Sequence, residues 1–251
     1  MKVVGIIPAR YASTRFPGKP LALIKGKPMI QRVYEQASLS KLDAVVVATD
    51  DTRIADVVKS FGGRCVMTDP NHRSGTDRCR EALERLEEQY DAVVNIQGDE
   101  PFIDPAQINQ VVDLILRDDT LLASLAKRIE LEEELFNPNT VKVVMDKQGN
   151  SLYFSRNPIP YMRNLDREEW LTKGEFFKHI GIYAYKSDTL RRIGLMPATV
   201  LETAESLEQL RWLENGLTIR MGVTEVENVS IDQPGDIEKA ERFADKRMKK
   251  Q

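Results

Sequence analysis

The stretch Val3-Val4-Gly5-Ile6-Ile7-Pro8-Ala9-Arg10-Tyr11-Ala12-Ser13-Thr14-Arg15-Phe16-Pro17-Gly18-Lys19-Pro20 decides the fold. Val3 to Ile7 is a short, largely β-branched run that reads as a strand. It empties into a loop with three cations, Arg10, Arg15 and Lys19, shaped by Pro8, Pro17, Gly18 and Pro20. In a parallel α/β sheet, ligands gather beyond the C-terminal strand ends, where Arg offers forked donors and Lys a compact charge to phosphate oxygens. The loop has neither the Gly-x-x-x-x-Gly-Lys-Ser/Thr nor the Gly-x-Gly-x-x-Gly pattern. By itself it is also compatible with a solvated basic loop that binds nothing.

Outward from this stretch, short apolar runs alternate with segments of helical period. Residues 28–39 fit a helix opened by Pro28 at its first position, with Ile30, Val33, Tyr34 and Ala37 on one side. Residues 45–48 read as the second strand and 52–61 as the next helix, stopped by Gly62-Gly63; apolar runs at 64–67 and 92–96 flank a charged helix at 76–89. Such β-α-β units imply an α/β, Rossmann-like sheet. After about residue 120, strands are expected at 121–127, 141–145, 151–155, 179–185 and 219–224. The Pro-rich stretch 157–178 reads as irregular, 202–215 as one helix ended by Gly216, and a last helix starts at Pro234. The expected organisation is a single domain over 1–251 with an inserted smaller lobe at approximately 130–185.

Composition narrows the function classes. The 251 residues carry 41% hydrophobic and 30% charged side chains and a net charge of -3, an ordinary globular balance that argues against a broad nucleic-acid footprint. Val3 to Ile7 is too short for a membrane span, and no signal-peptide regions accompany it, so a cytoplasmic protein without membrane insertion is expected. Cys65 and Cys79 form no Cys-x-x-Cys pair and have only His72 between them as a further zinc ligand, so they read as reduced structural thiols.

Further motifs carry polar chemistry, each with a plain structural alternative. Gln97-Gly98-Asp99-Glu100-Pro101 follows a strand and sets two carboxylates at the sheet edge, where Asp99 suits Mg²⁺ or merely a turn and cap before helix 104–117. Ser74-Gly75-Thr76-Asp77-Arg78 has capping-box spacing, yet a helix N-terminus beside Arg78 also offers donors to a ligand. Ser155-Arg156-Asn157-Pro158-Ile159-Pro160 holds an Arg on a rigid path, suited to a carboxylate. In His179-Ile180-Gly181-Ile182-Tyr183 the polar residues suit hydroxyls, although a strand His is commonly structural. Glu205 and Gln209 share a polar face at i, i+4, while Leu207, Leu210 and Leu213 read as core. Asp232 in Ile231-Asp232-Gln233-Pro234 reads as a second metal carboxylate or a helix cap.

Taken in order from the first strand to the last helix, these motifs resemble the 3-deoxy-manno-octulosonate (KDO) cytidylyltransferases over nearly the whole chain. The resemblance implies a Rossmann-like nucleotidyltransferase sheet with an inserted smaller lobe, a homodimer formed largely through that lobe, and Mg²⁺-dependent use of CTP. The implied reaction transfers CMP from CTP to the anomeric hydroxyl of KDO for lipopolysaccharide biosynthesis. It further implies that Arg10, Arg15 and Lys19 face the triphosphate, with Pro8, Ala9, Ser74 and Arg78 beside the nucleotide. Asp99 and Asp232 hold the metal, and Arg10, Lys19, Asp99 and Asp232 carry catalysis. Gln97, Arg156, His179, Tyr183, Glu205 and Gln209 form the sugar pocket, with Arg156 on the carboxylate. No general base is implied. Asp69 to Arg73 and residues 164–178 depart most from the pattern. Rival readings are activation of the 8-amino analogue of KDO or another acidic sugar, a nucleotide-sugar glycosyltransferase using Asp50-Asp51, and a nucleotide-binding regulator without activity.

Overall fold

The computed structural model describes residues 1–13 and 15–248, apart from the side chains of 246–248; Thr14 of the first loop lies outside the described residues. Two compact units result, Met1–Val112 with Glu227–Gln251, and Asp113–Val226.

The first unit begins with β1 (Val3–Ala9), a small hairpin β2 (Leu23–Ile24) and β3 (Lys27–Pro28), and helix α1 (Met29–Ser38). β4 (Ala44–Thr49), α2 (Thr52–Ser60), β5 (Cys65–Met67), α3 (Gly75–Arg85) and β6 (Ala92–Asn95) follow, and α4 (Pro105–Ile115) carries the chain past the boundary at Val112. β1 pairs in parallel with both β4 and β6, and β4 with β5, giving the order β6-β1-β4-β5. The apolar runs are continuous because both faces are covered: Val4, Ile6, Ile7, Val46, Val47, Val93 and Val94 have no accessible surface.

Local rules set the helix ends. Ser74 caps α3 by accepting the Asp77 N–H, and Asp51 caps α2 by accepting from Arg53. Pro28 precedes α1 as its N-cap residue and does not open it, because its ψ of 141° is extended. α3 stops at Arg85, short of residue 89: Leu86 turns to an extended conformation, and Glu88 pairs instead with Arg64 at 3.3 Å and with Tyr90.

The second unit is mixed. It contains β7 (Leu122–Arg128), α5 (Glu132–Phe136), β8 (Lys142–Met145), β9 (Ser151–Ser155), α6 (Trp170–Lys173) and β10 (Phe177–Lys186). α7 (Ser187–Ile193), α8 (Val200–Glu205), α9 (Gln209–Glu214) and β11 (Arg220–Val223) complete it. β10 runs antiparallel to β7 and β8, β8 antiparallel to β9, and β11 parallel to β7. The stretch 157–178 is less irregular than its prolines suggest, since Trp170 packs with Ile129, Leu135 and Phe176 in a small core of its own.

The single helix expected at 202–215 is two helices. A capping box of Thr199 and Glu202 starts α8 at Val200, and Ser206, with φ 52° and ψ 50°, ends it. The break removes the i, i+4 relation expected of Glu205 and Gln209 and turns Trp212 inward, leaving Leu213 half-buried. The chain then returns to the first unit, where α10 (Asp236–Met248) and Ile231 pack with Ile24, Met29 and Phe102.

Candidate active site

At the C-terminal end of β1 the basic loop is held in shape from within. Gly18, at φ 70°, donates its N–H to the Tyr11 carbonyl at 2.9 Å and introduces a single helical turn over Lys19–Leu21. The Tyr11 ring lies under the Arg53 guanidinium, 3.3 Å from its centroid, and Arg53 pairs with Asp51. The loop after β6 presses against this one: a Cβ on Gly98 would stand 2.9 Å from the Pro8 carbonyl oxygen, so glycine permits the approach.

Between these loops and the N-terminus of α3 lies a cavity of about 270 Å³ lined by Pro8, Ala9, Arg10, Arg15, Lys19, Ser74, Arg78, Gln97, Asp99 and Asp232. All the residues expected at the nucleotide, both expected metal carboxylates and one expected sugar residue therefore line one cavity. The cavity also takes in Ser13, His72 and Arg73, none of them among the expected ligands. Their signal was adjacency, since Arg73 directly precedes the Ser74 cap. His72 bonds through Nε2 to Glu81, whose carboxyl is held below its ordinary range by the Asp69 N–H and His72, against the opposing effect of burial.

Lys19 is the hub. Its Nζ donates to Asp99 Oδ2 and to the Ile231 carbonyl, each at 2.8 Å, and lies 3.7 Å from Asp232 Oδ1. Arg15 reaches the same Asp232 oxygen at 3.5 Å. The Ile231 N–H donates to the Asp99 carbonyl at 2.9 Å, which joins the loop after β6 to the returning chain. Asp232 does not cap the last helix: α10 starts at Asp236, whose carboxylate accepts the N–H groups of Asp232 and Gln233. Beside Asp99, the buried Glu100 accepts a 2.7 Å bond from Asn228; burial, then the charge of Asp99, pushes its carboxyl up to about 8.

Arg78 is nearly inaccessible and is tied to Thr68 Oγ1 at 2.6 Å and Asp50 at 3.2 Å. Asp50 is thus an internal partner and Asp51 a helix cap, which leaves the Asp50-Asp51 pair of the glycosyltransferase reading committed to structure.

The other expected sugar residues lie in the second unit. Arg156 donates from Nε to the Glu205 carbonyl (2.6 Å), from Nη1 to that of Pro138 (3.0 Å) and from Nη2 to that of Ser206 (3.2 Å). Three of the five guanidinium N–H groups are spent on backbone, and one on each terminal nitrogen remains. The Glu205 carboxylate accepts from Ser155 Oγ at 2.6 Å and from the Arg156 N–H at 2.9 Å. The left-handed Ser206 exposes the two carbonyls that Arg156 uses, a strained residue placed where a guanidinium needs acceptors. Lys142, without accessible surface, braces the same neighbourhood through the Asn137 carbonyl at 2.9 Å and that of Thr140; burial lowers its pKa.

His179 bonds through Nε2 to Ser124 Oγ at 2.9 Å and lies in ring contact with Phe154 and Tyr183, both at 5.2 Å. Desolvation pushes its pKa down to about 3, so the ring is neutral, and raises the Tyr183 phenol well above its ordinary value. Gln209, at the start of α9, is buried.

A parallel sheet whose strand ends gather cations and two carboxylates around one cavity has the form of a nucleotide-binding α/β protein, and residues 4–219 match the family model described as cytidylyltransferase. The chain is 56% identical over 247 residues to the 3-deoxy-manno-octulosonate cytidylyltransferase of Parabacteroides distasonis, covering 97% of this chain and 98% of that protein. It is 54% identical over 246 residues to the protein of the same name from Bacteroides thetaiotaomicron, covering 97% and 98%. A solved structure of CMP:2-keto-3-deoxy-manno-octonic acid synthetase complexed with CTP superposes with a TM-score of 0.91 at 42% identity, covering 98% of this chain and all of that one. The chain belongs to the 3-deoxy-manno-octulosonate cytidylyltransferase family.

Proposed function

We propose that the chain transfers CMP from CTP to the C2 hydroxyl of KDO and releases pyrophosphate. The observation that carries this reading is the cavity at the strand ends, which Arg10, Arg15, Lys19, Arg73 and Arg78 line together with two carboxylates, in a chain of this family. In the transfer, a bond forms between the C2 oxygen and the α-phosphorus while the bond to the pyrophosphate oxygen breaks, and negative charge grows on the leaving oxygens. Arg10, Arg15 and Lys19 stabilise that charge, Lys19 from a position set by Asp99 and the Ile231 carbonyl. Ser74, at the N-terminus of α3, offers its hydroxyl and nearby N–H groups to the nucleotide.

Asp99 and Asp232 already converge on one ammonium, so both reach a cation held near that point. Two carboxylates completed by phosphate oxygens and water are the donor set Mg²⁺ takes, and the residues fit it. When bound, Mg²⁺ supplies further electrostatic stabilisation of the phosphate charge. For the acidic sugar, the remaining N–H groups of Arg156 suit the carboxylate and His179 and Tyr183 suit hydroxyls, with Glu205 and Gln209 in the same unit.

The finer reading is a homodimer, formed largely through the lobe at about 130–185, that works in the cytoplasm and feeds lipopolysaccharide biosynthesis. Two free cysteines suit a reducing compartment, and among the described residues no helix is long and apolar enough to cross a membrane. The test is pyrophosphate release from CTP and KDO, run beside ATP, GTP and the 8-amino analogue. No release with CTP and KDO rejects the function, equal turnover with a purine triphosphate rejects the pyrimidine site, and faster turnover of the amino sugar moves the substrate to the analogue.

A further inference from the structure

Ser124, on β7, has no accessible surface and three neighbours: His179 Nε2 at 2.9 Å, the Ile182 carbonyl at 2.7 Å and the Ile180 carbonyl at 3.3 Å. The arrangement arises from an irregularity in β10. Ile180 stands opposite Leu125, but Tyr183 stands opposite Ser124, so Gly181 and Ile182 have no partner on β7. Both β10 carbonyls are thereby within reach of one hydroxyl.

A serine hydroxyl has one proton to give. Carbonyl oxygens only accept, and two oxygens 2.7 Å apart with no proton between them repel, so the proton lies between Ser124 Oγ and Ile182. It is therefore not available to His179, and the 2.9 Å contact requires the ring to donate. A half-buried, neutral ring that donates from Nε2 keeps a lone pair on Nδ1, which has no protein partner among the described residues.

We infer that Ser124 is a positioning residue that locks His179 as its Nε2–H tautomer and so presents Nδ1 as a hydrogen-bond acceptor for a hydroxyl of the acidic sugar. The second half rests on the proposed function; the lock itself does not. An acceptor at this place selects a hydroxyl and offers no proton, so His179 serves in recognition and not as an acid.

The chain holds two histidines, so a ¹⁵N-labelled His72→Gln protein leaves one imidazole to read. At pH 7, without substrates, the expected spectrum has a pyrrole-type Nε2 and a pyridine-type Nδ1. A protonated Nδ1 overturns the lock whatever the variants do. Ser124→Ala should give a mixture of tautomers and raise the KM for KDO about five- to tenfold with the KM for CTP unchanged, the loss of roughly one oriented hydrogen bond; Ser124→Thr should restore both. Adding KDO should move the Nδ1 resonance, and a resonance that stays still overturns the acceptor role. A chain inactive with CTP and KDO but locked in this tautomer would reject the functional reading and keep the lock; an active chain with the opposite tautomer would do the reverse.

Discussion

Replacing Glu205 separates two roles that one carboxylate can play. Its oxygens accept the Ser155 hydroxyl at 2.6 Å and the Arg156 N–H at 2.9 Å, while its carbonyl accepts Arg156 Nε at 2.6 Å. Glu205→Ala leaves the carbonyl and removes both carboxylate bonds. At about 1.5–3 kcal/mol for each bond to a charged acceptor, and with partial access of water replacing some of the loss, the expected cost is about 2–4 kcal/mol. Glu205→Gln keeps one oxygen for the Arg156 N–H and turns an amide donor toward Ser155, whose hydroxyl oxygen can accept, so about 1 kcal/mol is expected. Urea unfolding at constant m-value reads both, and the KM for KDO should rise about tenfold in the alanine variant while that for CTP stays put. Equal costs for Ala and Gln, or a cost below about 1 kcal/mol for Ala, would refute the clamp. Undiminished stability with abolished sugar binding would make Glu205 a direct sugar contact instead.

The remaining predictions concern other parts of the molecule. Asp99→Asn and Asp232→Asn should each lower activity about a hundredfold or more and shift its Mg²⁺ dependence while thermal unfolding barely changes; near-normal metal dependence in either removes that residue from the metal site. Arg78→Met should destabilise by about 3–5 kcal/mol because Asp50 loses its buried partner, and Asp50→Asn added to it should recover part; urea unfolding that shows no recovery would deny the coupling. His179 has a folded pKa of about 3 against an ordinary 6.5, so between these values the unfolded state binds more protons and stability falls as pH is lowered. His179→Gln should therefore lose less stability than the parent between pH 7 and pH 5; identical losses would place the acid sensitivity elsewhere.

What the sequence disclosed of this site depended on whether a residue acts where its own strand ends. Arg10, Lys19, Ser74 and Asp99 each lie in the loop that follows a strand run, so the rule that ligands gather at strand ends located them with no knowledge of long-range contacts. Asp232 was harder, because cap and ligand look alike in one dimension. A helix that starts four residues later than Asp232 removes the cap, and Lys19, more than two hundred residues away in sequence, lies 3.7 Å from its carboxylate. Ser206 was invisible for a stronger reason. Nothing in Leu201 to Glu214 advertises a left-handed residue, and helical propensity favours continuing straight through it. The helix breaks in spite of that preference, where the Glu205 carboxylate takes up the Ser155 hydroxyl and the Arg156 N–H and the Glu205 and Ser206 carbonyls receive the Arg156 guanidinium. Local preference is overridden where tertiary bonds to a charged group outweigh a fraction of a kcal/mol of propensity. The same reasoning applies to Ser124, whose role depends on an irregular register between β7 and β10 that no spacing within either strand encodes.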